Sequence, residues 1–223
     1  MNIKYLELPT KDLQAQRDFY SNILELPVKF SATNLEVKAG KTELVFTQAQ
    51  PDFDGAYHFA FNVPENQLPA AREWITRYIS LLHDETGKDE FESKSWNSHS
   101  VYFKDAAGNV LEFIARHDLE NVVEGGFDNS QILNVSEIGL PSEGVIAFAG
   151  ELCSKLNLSI FKQEPSEAFT PVGDDHGLFI LPVKNRIWIP NSGVPAKLLP
   201  VTVKGETNGR EWEVRGVPYE IIC

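Results

Sequence analysis

The chain has 223 residues, 42% of them apolar and 23% charged, which is the balance of a globular protein long enough for two domains. A formal charge of −12 and a pI near 4.9, with no lysine or arginine run, exclude a nucleic-acid backbone as partner. Cys153 and Cys223 are far apart without histidine neighbours, excluding a zinc knuckle or CxxC motif, and no apolar stretch approaches the ~20 residues of a membrane span.

The opening MNIKYLELPTKDL lacks the build of a signal peptide, so a cytoplasmic protein with reduced thiols is expected. Ile3–Leu8 reads as a strand, and Thr10 or Asp12 can cap a helix over Leu13–Leu24 that Pro27 ends. Short strands are expected at 28–31, 34–39 and 42–47. The order then repeats: a strand at His58–Val63, a helix at Leu68–Leu82, then strands near 91–94, 98–104 and 109–116.

Residues 117–130 are polar, carry Gly125-Gly126 and read as a linker. Beyond them come a strand at Val135–Leu140, a helix at Glu143–Leu156, and strands at Leu178–Pro182 and Arg186–Ile189. A fourth copy is abbreviated. Leu199–Lys204 and Tyr219–Ile222 read as its first and last strands, and 205–215 is too short and polar for a full crossover helix. The expected domains are 1–116 and 131–223. No GxGxxG, Walker loop, GxSxG or HExxH occurs, so dinucleotide, phosphoryl-transfer and peptidase chemistry have no support.

Four segments carry a resemblance: Lys11-Asp12-Leu13, then Phe19-Tyr20 with Leu24 and Leu26, then Tyr57-His58-Phe59-Ala60-Phe61, and Asp105-Ala106-Ala107-Gly108-Asn109-Val110-Leu111-Glu112-Phe113. In this order and spacing, residues 1–116 resemble the βαβββ modules of the vicinal-oxygen-chelate superfamily, which includes glyoxalase I, bleomycin-resistance proteins and extradiol dioxygenases. Residues 131–223 match weakly. The resemblance implies an α+β fold of tandem βαβββ modules, with cupped mixed or antiparallel sheets and helices outside. It also implies a divalent metal in the cup, held from the first strands of two paired modules and from a terminal strand. Carried over by position, the ligands are His58, Glu112 and Glu43. Tyr5 stands where that family usually has histidine or glutamate. In the second half, Glu137 takes the first-strand position and Glu220 the terminal one of a second, degenerate cup.

Strand parity is consistent with such a cup. His58, Ala60 and Asn62 share one face, as do Val110, Glu112 and Ile114. A glutamate between apolar neighbours needs a partner, because burial disfavours its charge. That partner is a cation, or an arginine, or His58 itself. Imidazole with carboxylates suits Fe, Mn, Ni or Zn.

Two functions follow. One is a metalloenzyme of glyoxalase or dioxygenase type acting on a vicinal-oxygen substrate, with Glu112 or Glu43 as base and Tyr5 donating to an oxyanion. The other is a metal-free protein that sequesters a small aromatic molecule against Tyr5, Trp96 and Tyr102. Either way the partner is a small molecule. The missing helix of the fourth module would leave Val201, Val203, Tyr219 and Ile221 uncovered, so a homodimer is expected unless the linker folds over them.

Overall fold

The computed structural model describes residues Met1–Cys223. Fourteen strands form two seven-stranded sheets, and three helices lie against them. The first module is β1 (Asn2–Thr10), α1 (Leu13–Asp18), β2 (Val28–Phe30), β3 (Asn34–Ala39) and β4 (Thr42–Gln48). Asp12 caps α1 by accepting from the Ala15 backbone N–H, and a π-helical turn at Phe19–Ile23 continues it. The second module is β5 (His58–Val63), α2 (Leu68–Thr76), β6 (Glu90–Ser93), β7 (Ser98–Lys104) and β8 (Val110–Arg116).

The later modules are both reduced. The third comprises β9 (Asn134–Gly139), α3 (Val145–Leu156), β10 (Phe169–Asp174) and β11 (Gly177–Pro182). Arg186–Ile189, expected as a strand, is instead a loop tied by an isolated bridge from Ile187 to Pro195. The fourth comprises β12 (Val201–Thr207), β13 (Arg210–Gly216) and β14 (Glu220–Ile222), with no helix. The segment 205–215 is a hairpin: Asn208 and Gly209 both hold positive φ, the requirement of a tight two-residue turn.

Within each of the first three modules the first and last strands pair in parallel, as a helical crossover demands. The fourth has no crossover and is a plain antiparallel meander. Modules join through their first strands. β1 pairs antiparallel with β12, and β5 pairs antiparallel with β9. One sheet therefore runs β14-β13-β12-β1-β4-β3-β2 and the other β10-β11-β9-β5-β8-β7-β6.

This pairing corrects the expectation that modules one and two share a cup. Module one joins module four, and module two joins module three, so both sheets draw strands from either side of residues 117–130. The physical reason is register. Periodicity along one strand says which face is buried but not which distant edge it will pair with.

The apolar faces of both sheets and the helices close one core of 44 buried residues. Bulges tune which side chains enter it. One between Ile3 and Tyr5 lets Ile3 and Leu6 both face inward. The residues expected to need a cover are inside this core: Val201, Val203 and Ile221 are buried, Tyr219 stacks on Phe148 of α3 at 5.6 Å, and Trp212 meets Phe179 of the other sheet at 5.4 Å. Their cover is α3 and the second sheet, neither the linker nor a second chain. Gly40, at φ +57°, lets the β3–β4 turn meet the other sheet, since a Cβ there would lie 2.1 Å from the Leu133 carbonyl oxygen. No helix is long and apolar enough to cross a membrane.

Candidate metal centre and cup

The site grows from β5, which is buried along its whole length because it lies between β8 and β9. Phe59, Phe61 and Val63 enter the core, leaving His58, Ala60 and Asn62 on the opposite face. Ala60 pairs in register with Glu112 of β8 on one side and with Glu137 of β9 on the other. The register of β9 slips between Ala60 and Phe61, and this bulge sends Val135 to the core while Glu137 faces the cup. Alanine's small side chain leaves the space above it to the two carboxylates and the imidazole.

His58, Glu112 and Glu137 are each 4% exposed or less. One ligand atom from each lies within 4.8 Å of the others. His58 Nε2 is 3.6 Å from Glu112 Oε2 and 3.9 Å from Glu137 Oε2. The Nδ1 of His58 is 3.0 Å from the Val110 carbonyl, which accepts its proton and so turns the lone pair of Nε2 toward the carboxylates. The other oxygen of Glu137 accepts from Arg116, whose guanidinium is fully buried and lies over the rings of Trp96 and Phe161 at 5.6 Å each.

The electrostatics follow from the crowding. Burial, then the charge of Glu137, pushes the Glu112 carboxyl up to about 7, while the Ser100 hydroxyl and His58 partly offset this. Burial works against protonation of His58, but Glu137, Glu112 and the Val110 carbonyl outweigh it and its pKa is raised. Burial and the same two carboxylates hold the Tyr102 phenol well above its ordinary value. Three groups that share protons in so small a space suit a cation: neutral imidazole with the correct nitrogen free, two carboxylates, and a guanidinium steadying one of them. The residues fit a divalent metal.

Above the cluster is a cavity of about 600 Å³ with aromatic walls, among them Trp96, Tyr102, Phe169 and Trp188. Trp188 comes from the loop after β11 and its ring lies 4.9 Å from that of His58. Trp96 and Tyr102, expected from the sequence as ligand contacts, line this cavity. Glu43 and Tyr5 do not. They face each other in register on β4 and β1 of the other sheet, where Glu43 is exposed and Tyr5 donates to Glu7 at 2.5 Å. Their assignment to the His58 site is corrected by the pairing of modules. Glu220, expected beside Glu137, is instead on β14 of that same other sheet, exposed, with its carboxylate 3.3 Å from Arg215.

Glu137 thus belongs to the His58 cup, in the first-strand position read for it from the sequence but with another partner. By the same register Ile180 of β11 stands where module two has Glu112: Val110 pairs with His58 and Leu178 with Glu137, each two residues earlier. Three protein ligands are available and the fourth position is aliphatic. Arg116 was missed, although it shares the parity of Glu112 at the end of an apolar strand, the place where a buried carboxylate finds a partner. Trp188 carried no such signal, since its loop follows no repeat.

The sequence matches no family model and no curated relative. Among solved structures, the "putative dioxygenase" of Bacillus subtilis aligns over 82% of this chain and 64% of its own length, at 17% identity and a TM-score of 0.60. This chain shares the fold of that structure over the aligned residues. The lactoylglutathione lyase of Agrobacterium tumefaciens aligns over 50% of this chain and 90% of its own, at 25% identity and a TM-score of 0.40. The fosfomycin resistance protein FosX of Listeria monocytogenes, solved with Mn(II), aligns over 52% and 90%, at 18% and 0.40. The chain spans just under two thirds of the length of the Bacillus structure. These likenesses describe its fold.

Proposed function

We propose that this protein is a metalloenzyme of vicinal-oxygen-chelate type whose second- and third-module cup holds one divalent cation through His58 Nε2, Glu112 and Glu137. The observation that carries this reading is the trio itself. Three ligand atoms from three strands converge in a buried cup, with the histidine tautomer set by a backbone carbonyl. One imidazole and two carboxylates favour Mn, Fe or Zn over soft-metal chemistry. When bound, such an ion supplies Lewis-acid stabilisation to two neighbouring oxygens of a substrate.

The chain's own groups have distinct tasks. Glu112, on the cup face beside the open end of the cluster, is the carboxylate suited to take a proton from substrate and return it. Tyr102 stays protonated at neutral pH and is placed to donate a hydrogen bond on the same face. Arg116 holds Glu137 from behind, and aromatic rings wall the approach to the cluster. Tyr5 has no part in this chemistry.

The metal-free binding protein is the second reading, and Arg116 favours it. A buried guanidinium already balances one of the two carboxylates, as a protein without a cation requires. Elemental analysis of untagged protein, with calorimetric titration of Mn(II) and Zn(II), separates the two. About one equivalent bound, lost in His58→Ala, is the expected result. No uptake by protein that is folded would leave the binding protein standing.

A further inference from the structure

Outside the cup, the fold brings two of the chain's five histidines together. His99 is on β7 with the parity of Val101 and Phe103, which enter the core, so it stands on the face opposite Ser100 and Tyr102 of the cup. Its cross-strand partner on β8 is Ala115, a small residue that leaves room on this face. His117 follows two residues later with the same parity, and its backbone N–H extends the ladder by donating to the Asn97 carbonyl. The two imidazoles are therefore diagonal neighbours across one strand pair.

Their nitrogens converge. His99 Nδ1 lies 2.9 Å from His117 Nε2, and the rings meet edge to face with centroids 5.1 Å apart. The other nitrogen of His117, Nδ1, is 3.8 Å from the carboxylate of Glu65, which stands between β5 and α2. A carboxylate there keeps the proton on Nδ1 and leaves the Nε2 lone pair free, the arrangement that orients a histidine ligand. All three residues are half-buried, so an ion from solvent has access to the pair.

Two nitrogens this close share either a proton or a cation. With metal–nitrogen bonds of about 2.0–2.1 Å, ligands at a right angle stand about 2.9 Å apart, whereas a tetrahedral ion spreads them to about 3.3 Å. The observed spacing is that of the right angle, the preference of Cu(II) and Ni(II) with nitrogen and oxygen donors. We infer that His99 Nδ1 and His117 Nε2 form a metal site on the outer side of this sheet, taking one Cu(II) or Ni(II) ion. Water completes the shell, and Glu65 is the positioning residue behind His117. The proton that His99 Nδ1 donates in the metal-free pair is carried on its Nε2 when the ion binds, so both rings stay neutral. This site shares no ligand with the cup and does not depend on the cation proposed there.

The test uses the full-length chain with His58→Ala, which removes the cup imidazole, and with His83→Gln and His176→Gln, which remove the two exposed histidines. Calorimetric titration should give about one equivalent of Ni(II). Electron paramagnetic resonance of the Cu(II) form should show hyperfine splitting from two imidazole nitrogens. His99→Gln or His117→Gln should then weaken Ni(II) at least about tenfold and leave one nitrogen on Cu(II). Glu65→Gln should weaken Ni(II) about tenfold while both nitrogens remain. Should the triple background not fold, His99→Gln and His117→Gln in the otherwise unsubstituted chain should each remove one equivalent of Ni(II). Nickel binding indifferent to both histidines, or a Cu(II) spectrum of the triple background with fewer than two nitrogens, overturns the inference and leaves the pair a hydrogen bond only.

Discussion

His58 and Glu137 face each other at 3.9 Å from the first strands of two different modules, which meet only because β5 and β9 pair. The site is therefore a product of the sheet topology, and it sorts the acidic residues. Glu137→Gln should reduce Mn(II) or Zn(II) affinity by about 10- to 100-fold or more, since two remaining ligands cannot complete a coordination shell. Glu43→Gln and Tyr5→Phe, on the other sheet, should leave it unchanged. Parallel titrations of the three variants check this. A loss on changing Glu43 would mean the cup is built from other strands.

Metal binding should release protons and strengthen with rising pH. Without metal, burial and Glu137 place the Glu112 carboxyl near 7, and the neighbouring carboxylates raise His58 against the effect of burial. Both groups must lose a proton before they coordinate. For stability the sign is the same in both. Each folded-state pKa lies above its unfolded value, so each contribution is present at low pH and lost as pH rises, that of Glu112 through about 7. Chelator-treated protein should melt at a lower temperature at pH 8 than at pH 6, with added metal closing the gap. Calorimetry in two buffers of different ionisation enthalpy counts the protons, and a count of zero near pH 6.5 would contradict this account.

Arg116→Met should destabilise the metal-free protein by about 3–5 kcal/mol, because removing the guanidinium leaves Glu137 as an uncompensated buried charge. The variant's apolar chain follows the arginine stem but stops short of the guanidinium position and supplies no donor. Denaturant unfolding at pH 7.5 measures the loss. A cost below about 1 kcal/mol would show that Glu137 finds another partner or takes up a proton cheaply.

Gly139→Ala should displace Trp188. The new methyl would collide with the indole edge, and β9 is fixed by β5 and β11, so the loop must give way. Overpacking of this kind costs about 1–3 kcal/mol. In Trp188→Ala the same Gly139→Ala change should cost far less, giving a clear coupling in the double-mutant cycle. Additive effects would place the ring elsewhere.

Much of this was legible. The repeated strand–helix–strand order is carried by alternating residues such as Phe59, Phe61 and Val63, whose burial any partner sheet satisfies, so the fold class could be read without knowing the partner. His58 and Glu112 follow from parity within one module, and Trp96 from its place in the turn just before a cup strand. Glu43 and Glu137 were assigned to the wrong sites because their placement depends on which first strands meet, and the faces of β1 and β9 carry no mark of that. Asn208-Gly209 was a hairpin signal that makes the helix-free fourth module a meander, and reading it would have placed β13.

The topology itself predicts how the chain breaks. If residues 1–116 were one closed domain, a fragment ending there would fold and bind metal. In this structure that fragment keeps β1–β4 and β5–β8 but loses β12 and β9, leaving β1 and β5 as open edges. It also loses Glu137 and much of the shared core, including Val203, Trp212 and Phe179. Buried central strands turned into long apolar edges pair with other chains. The fragment should therefore aggregate or remain unfolded, with no cooperative thermal transition, whereas co-expressed 1–116 and 117–223 should assemble and recover metal uptake. Residual intermodule contacts do not change this expectation. The Asp105 carboxylate still takes hydrogen bonds from Gln16 and Tyr20 of module one, but one buried polar network cannot replace two sheet interfaces. Circular dichroism melts and gel filtration of the fragment decide it. A soluble, cooperatively melting 1–116 would mean that modules one and two do form a domain of their own.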